Sequence, residues 1–140
     1  MPSSKNNIIY VKDVMLPLEK FPVLSEKIFF KEALEKMNKF RLGIACIVNN
    51  ENKLLGILTD GDIRRKSLNV QKPFSAFFVD DVIVHSIQSP ITIHYKETLQ
   101  NSVKIMEQNQ IWDLPVINDE GILVGLLHLH PAVKILLNNS

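Results

Sequence analysis

The chain is 140 residues long, with 46% hydrophobic and 22% charged residues, one cysteine and a formal charge of +1. These values suit one globular domain or two small repeats sharing a core; they exclude an internal disulfide and lack the basic excess of a general nucleic-acid binder. No run approaches the roughly 18 apolar residues of a membrane-spanning helix, and the opening residues lead into no secretory-signal pattern, so a cytoplasmic protein with neither membrane nor nucleic acid among its partners is expected.

After a tail at residues 1–10, a short extended piece is expected at Phe21-Pro22-Val23-Leu24. A helix follows, because Phe30, Ala33, Leu34, Met37 and Phe40 share one face while Lys31, Glu32, Glu35, Lys36 and Lys39 turn outward. Apolar runs at 44–48 and 54–58 flank the polar stretch Asn49-Asn50-Glu51-Asn52-Lys53, a hairpin pattern, and a helix is expected over 60–68. Pro73 stops any continuing helix, and Phe74, Phe77 and Phe78 form a stripe suited to core or interface packing. The order then recurs. An extended piece at 90–93 precedes a helix built on Leu99, Ser102, Val103 and Met106, with Thr98 as its N-cap. Strands at 114–117 and 123–127 flank Asn118-Asp119-Glu120-Gly121, and a last helix spans 131–137.

The recurrence is an internal repeat. At a shift of 69, Leu34 meets Val103, Met37 meets Met106, and Leu55-Gly56-Ile57-Leu58 meets Val124-Gly125-Leu126-Leu127. Upstream, Val11-Lys12-Asp13-Val14-Met15 resembles Val79-Asp80-Asp81-Val82-Ile83 at a shift of 68. The predicted division is a tail at 1–10, repeat 1 at 11–68, a linker at 69–78 and repeat 2 at 79–138. Each copy reads β-α-β-β-α and has too little chain to cover both faces of its own sheet, which predicts an α+β fold with the copies packed sheet to sheet about a pseudo-two-fold axis. Charge is uneven: residues 1–70 hold 12 Lys/Arg against 8 Asp/Glu, and residues 71–140 hold 4 against 7. The resulting +4 and −3 suit an anionic ligand on the first copy or are simple surface variation.

Few residues could carry chemistry. In Gly56-Ile57-Leu58-Thr59-Asp60-Gly61-Asp62-Ile63-Arg64-Arg65 an apolar strand ends at Thr59, where a polar helix begins. Free N–H groups at such a start attract phosphate; Thr59 offers a hydroxyl, Asp62 can accept from two sugar hydroxyls, and Arg64 and Arg65 add positive charge. Thr-x-x-Asp is equally a helix-capping box, and both readings stand. The second copy has Leu127-His128-Leu129-His130-Pro131 there, and Pro131 in place of Asp62 cannot hold a ribose. His128 and His130, two apart on an extended piece, are placed to face one side and to meet an anion or nearby backbone; two histidines fall short of a zinc site. Cys46 lies mid-strand as a buried apolar group. Trp112, opposite Gly43 in the repeat, is expected at the core edge, with base stacking as the alternative. No nucleophile–base set is visible, so no catalysis by this chain alone is expected.

The duplicated pattern resembles a tandem pair of cystathionine-β-synthase-type (CBS) domains, a Bateman module. Leu42-Gly43-Ile44-Ala45, Thr59-Asp60-Gly61-Asp62-Ile63-Arg64-Arg65 and Leu127-His128-Leu129-His130 resemble the C-terminal CBS pair of arabinose-5-phosphate isomerases of the Kdo (lipopolysaccharide and capsule) pathway. A similar arginine-ended run occurs in CBS pairs attached to sugar-nucleotide transferases. The resemblance implies Thr59 at a phosphate and Asp62 at ribose hydroxyls, with Asp60, Arg64 and Gly43 in the matched motifs. It further implies Ile44, Ala45 and Cys46 along the base, Leu24 closing the pocket, and His128 and His130 in the second copy. It implies one good site, in the cleft between the repeats, for a nucleotide or CMP-sugar (CMP-Kdo, AMP or ATP) acting as regulatory ligand, with no other cofactor and no metal. A homodimer, and an isomerase domain or partner enzyme, follow from the same resemblance. The alternatives it leaves are a pure association module and the regulatory part of a sugar-nucleotide transferase.

Overall fold

The computed structural model describes residues 7–69 and 73–138. Six strands form two three-stranded sheets among the described residues: β1 (Val23–Ser25), β2 (Ile44–Val48) and β3 (Leu54–Thr59) in one, β4 (Ile93–His94), β5 (Asp113–Ile117) and β6 (Leu123–His128) in the other. The helices are α1 (Phe30–Phe40), α2 (Asp60–Asn69), α3 (Leu99–Asn109) and α4 (Leu129–Asn138). This is the α+β class expected, one β-α-β-β-α set per repeat. In each sheet the first strand runs parallel to the middle one and the middle strand pairs antiparallel with the last.

The local chemistry repeats as well. Asn49 Oδ1 accepts from the backbone N–H groups of Glu51 and Lys53 at 2.8 and 3.0 Å, and Asn118 Oδ1 from those of Glu120 and Ile122 at 3.0 Å each. The positive φ that closes each turn falls on Asn52 (63°) and Gly121 (79°), residues that tolerate it. Thr98 caps α3, its hydroxyl oxygen accepting from the Asn101 N–H at 3.2 Å. The buried Ser102 hydroxyl is satisfied by the Thr98 carbonyl at 2.9 Å.

Packing crosses the sequence repeats. One compact unit is Leu18–Pro90; the other joins the residues up to Pro17 with those from Ile91 on. The first unit's core holds Leu24, Phe30, Ala33, Met37, Ala45, Ile47, Leu58, Phe77 and Val82, with Phe74 and Phe78 against it, so the aromatic stripe is core. The second unit gathers Val11, Leu99, Met106, Leu114, Val116, Leu127 and Ala132 among its buried residues.

Each unit recruits a segment from upstream of its partner set of strands. The backbone N–H of Phe30 donates to the Asp80 carbonyl at 2.8 Å and that of Lys31 to the Phe78 carbonyl at 3.2 Å, while Leu99 donates to the Ile9 carbonyl at 2.8 Å. These bonds satisfy helix-start donors that would otherwise be orphans. The bridges Tyr10↔Thr98 and Phe29↔Asp81, and Leu16↔Leu126 and Ile57↔Ile87, make Val11–Asp13 the counterpart of Val82–His85. The correspondence is therefore a shift of 71, which corrects the shift of 68 expected for Val11–Met15 against Val79–Ile83. The apolar letters agree at 68, but hydrogen bonding to the helix start decides the placement.

Candidate functional site

At the end of β3 the chain turns directly into α2, and register places Thr59 opposite Ile44 of β2. Asp60 N–H donates to the Gly43 carbonyl at 3.0 Å. The Asp60 side chain lies over Gly43 so closely that a Cβ there would stand 2.9 Å from Asp60 Oδ2. The Asp62 N–H donates to Thr59 Oγ1 at 3.2 Å, which is the cap; the Thr59 hydroxyl in turn donates to Asp62 Oδ2 at 2.6 Å. Arg65 donates to Asp62 Oδ1 at 2.7 Å. The carboxylate is thus not spent on main-chain amides as in a full capping box. Both oxygens are held by side chains, and the Asp62 side chain keeps 20% exposure.

The other residues expected near this point occupy the same unit. Ile44, Ala45 and Cys46 lie in β2, which is buried along its whole length, and Leu24 is buried in β1 beside Ile47. Arg64 is exposed on α2, its carbonyl accepting from the Ser67 hydroxyl at 2.8 Å. Arg65, the other arginine of the motif, is the one that folds back on Asp62.

In the second unit the matching place is built from different residues. Leu129 N–H donates to the Trp112 carbonyl at 2.8 Å, as Asp60 does to Gly43, and register sets Asp113 opposite His128. His128 Nδ1 lies 2.7 Å from Asp113 Oδ1. The expectation that His128 and His130 share an extended piece is corrected. His128 ends β6, while His130 is exposed in the first turn of α4, which starts two residues earlier than expected because Pro131 is accommodated within a first turn. Trp112 is 69% exposed, not at the core edge. His85, by contrast, is core: its side chain packs against the rings of Phe30 and Phe77 and its Nε2 lies 2.9 Å from Asp80 Oδ2. Among the described residues no group of three or more His, Cys, Asp or Glu is placed to hold a metal, and no helix is long and apolar enough to cross a membrane.

Burial pushes the Asp113 carboxyl above its ordinary value; the hydrogen bond and charge of His128 recover only part of that. The folded chain then keeps this proton at a pH where the unfolded chain has released it. Its contribution to stability falls as pH rises from the ordinary carboxylate range through the raised folded value. Asp113→Asn is expected to remove that component, flattening the pH dependence of the urea-unfolding free energy over the window. A variant that declines as steeply as the parent would place the cause elsewhere.

The CBS-domain family matches residues 11–69 and 79–130. A relative from Haemophilus influenzae described as a probable arabinose 5-phosphate isomerase is 35% identical over 122 residues, which cover 84% of this chain and 33% of the relative. The chain spans 38% of the length of a Rickettsia prowazekii relative as well, so it corresponds to well under half of these longer proteins. Among solved structures, CBSX2 of Arabidopsis thaliana in complex with AMP superposes with a TM-score of 0.81 at 22% identity, covering 93% of this chain and 97% of that one. The CBS domain pair of the protein MJ0100, in complex with 5′-methylthioadenosine and S-adenosyl-L-methionine, gives 0.77 at 22% identity over 96% and 100%.

Proposed function

The chain belongs to the CBS-domain family as a tandem pair, and on that premise we propose that it is a regulatory module binding a phosphorylated nucleoside at the start of α2. One observation carries this: a hydroxyl and a carboxylate, Thr59 and Asp62, stand together at a helix N-terminus with the carboxylate bonded only through side chains. Thr59 and the positive end of the α2 dipole suit a phosphate, and Asp62 suits the paired hydroxyls of a ribose. Asp60, Gly43 and the β2 residues Ile44, Ala45 and Cys46 would frame the base, with Leu24 beside them. His128 and His130 would serve a separate, weaker anion contact in the second unit, where Pro131 removes the diol acceptor. Domain boundaries at 11–68 and 79–138 remain the proposed sequence repeats, with each packing unit completed by the other's leading segment.

The adenosine-type ligands in the structures of CBSX2 and of the MJ0100 pair support an adenine nucleotide, while CMP-Kdo as a feedback signal rests on the motif resemblance to the isomerase CBS pair, with which the probable isomerase relative agrees. The module would act in the cytoplasm as part of, or partner to, an arabinose-5-phosphate isomerase, with catalysis located outside this chain and lipopolysaccharide precursors as its pathway. Occupancy can change activity only if the ligand prefers one arrangement of the module over another. Titration calorimetry of the chain with CMP-Kdo, CMP, AMP, ADP and ATP tests the proposal; saturable binding of at least one supports it, and heat of dilution alone from all five removes it. A second reading, association without ligand, is favoured by the exposed leucines Leu68 and Leu137 at matched positions near the ends of α2 and α4. It predicts a homodimer by sedimentation that no nucleotide perturbs.

A further inference from the structure

A carboxylate that is to grip two adjacent hydroxyls needs an acceptor oxygen free for each. Neither Asp62 oxygen is idle: Oδ2 takes the Thr59 hydroxyl at 2.6 Å and Oδ1 takes Arg65 at 2.7 Å. A carboxylate oxygen has two lone pairs, so each keeps one acceptor position beside its present partner, and the two contacts differ in bulk: the first is a small local hydroxyl. The second is a bulky guanidinium with one nitrogen on Oδ1, where it takes up space beside the acceptor. That guanidinium lies against Gly61, where an added Cβ would stand 3.3 Å from both of its terminal nitrogens. Glycine at this helix position, where alanine would be the better helix former, leaves the room that the folded-back arginine uses.

We propose that Arg65 is a latch on the Asp62 carboxylate that a phosphorylated nucleoside releases and an unphosphorylated one does not repay. This deepens the nucleotide reading above and rests on it. The contact suits a latch because the Arg65 side chain is 61% exposed against 20% for Asp62. An ion pair with its cation in water is weak, so opening it costs little. Once displaced, the guanidinium is at the first turns of α2, the same end at which Thr59 and the positive end of the helix dipole would meet a phosphate, and its fork matches phosphate oxygens. A ligand with a phosphate exchanges one partner of Arg65 for another. A bare nucleoside breaks the pair and gives nothing back. Arg65 is thus a specificity-determining residue.

The test measures the affinities of adenosine, AMP, cytidine and CMP for the parent chain and for Arg65→Ala, Gly61→Ala and Asp62→Ala. Arg65→Ala is expected to tighten the nucleoside by roughly two- to fivefold, the range of an exposed ion pair, and to weaken the monophosphate, so that selectivity for phosphate falls. Gly61→Ala asks the guanidinium to give by a few tenths of an ångström while keeping its charge, which loosens the contact, and is expected to tighten the nucleoside by less than Arg65→Ala does, without loss of the monophosphate. Raising the salt concentration should shrink the gain, since the latch is a screened surface pair. Unchanged or weaker nucleoside binding in both Arg65→Ala and Gly61→Ala, with Asp62→Ala still abolishing binding, would overturn the latch and leave the carboxylate site standing. Absence of binding by all four compounds to the parent and to Arg65→Ala would overturn the site and the latch together.

Discussion

In Asp62→Ala, a nucleotide that stabilises the parent chain is expected to give no stabilisation. For a ligand held at a hundredfold excess over its Kd, the parent gains about 2.7 kcal/mol, and the variant should gain none of it. The size of the contrast follows from what Asp62 does in the free chain. It bonds the Thr59 hydroxyl and a mostly exposed arginine, and such an arginine pair contributes about 0–1 kcal/mol. The main-chain cap, from the Asp62 N–H to Thr59 Oγ1 at 3.2 Å, does not use the carboxylate and survives the substitution. Unfolding of ligand-free Asp62→Ala should therefore lie within about 1 kcal/mol of the parent, while ligand-dependent stabilisation disappears. Thr59→Ala should behave differently: it removes the cap itself, costing about 1 kcal/mol without ligand, and weakens phosphate-bearing ligands in particular. Paired urea titrations with and without nucleotide separate the two. A full ligand shift retained in Asp62→Ala would contradict the assignment of ribose to that carboxylate.

Much of this arrangement is legible from residues alone because it depends on local rules. Helix α1 follows from the spacing of Phe30, Ala33 and Met37, α3 from its apolar spacing and the Thr98 cap, and the hairpins from polar turns set between apolar runs. The Thr59–Asp62 neighbourhood is legible for the same reason, since the two lie three positions apart, the spacing of a cap and the group above it. What was not legible depends on register and on distant chain. The pairing of Asp113 with His128 is not legible because each hairpin contains an irregularity. Val48 pairs with Leu54 but Ile47 with Gly56, and Ile117 pairs with Leu123 but Val116 with Gly125. Counting back from the turn without that extra residue sets Asp113 opposite Leu127, a slip of one that turns a side chain to the wrong face. The fold-back of Arg65 and not Arg64 is also three-dimensional, set by helical spacing from Asp62 and by the room over Gly61. The placement of Val11–Asp13 and Val82–His85 is set by backbone hydrogen bonds, and backbone groups leave no letter in the sequence.

That recruitment yields the second large expected effect, at the two glycines of the last strand in each repeat. Gly56 and Gly125 are matched positions, both buried, and both lie under the segment that docks on the strand beside them. A Cβ on Gly56 would stand 2.7 Å from the Ile87 carbonyl oxygen and 2.9 Å from Ser86 Oγ; one on Gly125 would stand 2.5 Å from Met15 Sδ and 2.9 Å from the Leu16 carbonyl oxygen. Both distances to backbone are too short for any real Cβ, so the docked segment must move. The two sites should nonetheless differ. At Gly125 the tightest neighbour is the thioether of a flexible methionine, which can swing aside, leaving the 2.9 Å carbonyl contact as the residual strain. At Gly56 the tightest neighbour is the carbonyl of Ile87 itself, at 2.7 Å. Ile87 exchanges two backbone hydrogen bonds with Ile57, at 2.8 and 2.9 Å, as Leu16 does with Leu126, at 2.8 and 3.1 Å, so the sites differ in the closer backbone approach at Gly56. Relief there means lengthening those bonds or lifting Val82–His85 from the start of α1. Gly56→Ala is therefore expected to destabilise by about 2–3 kcal/mol and Gly125→Ala by about 1–2 kcal/mol, within the usual range for overpacking, measured by urea unfolding. Amide exchange should locate the damage: Ile57 and Ile87 lose protection in Gly56→Ala, and Leu16 and Leu126 in Gly125→Ala. If Gly56→Ala left Ile87 protected and stability unchanged, the docked segment would not be the constraint that keeps this position free of a side chain.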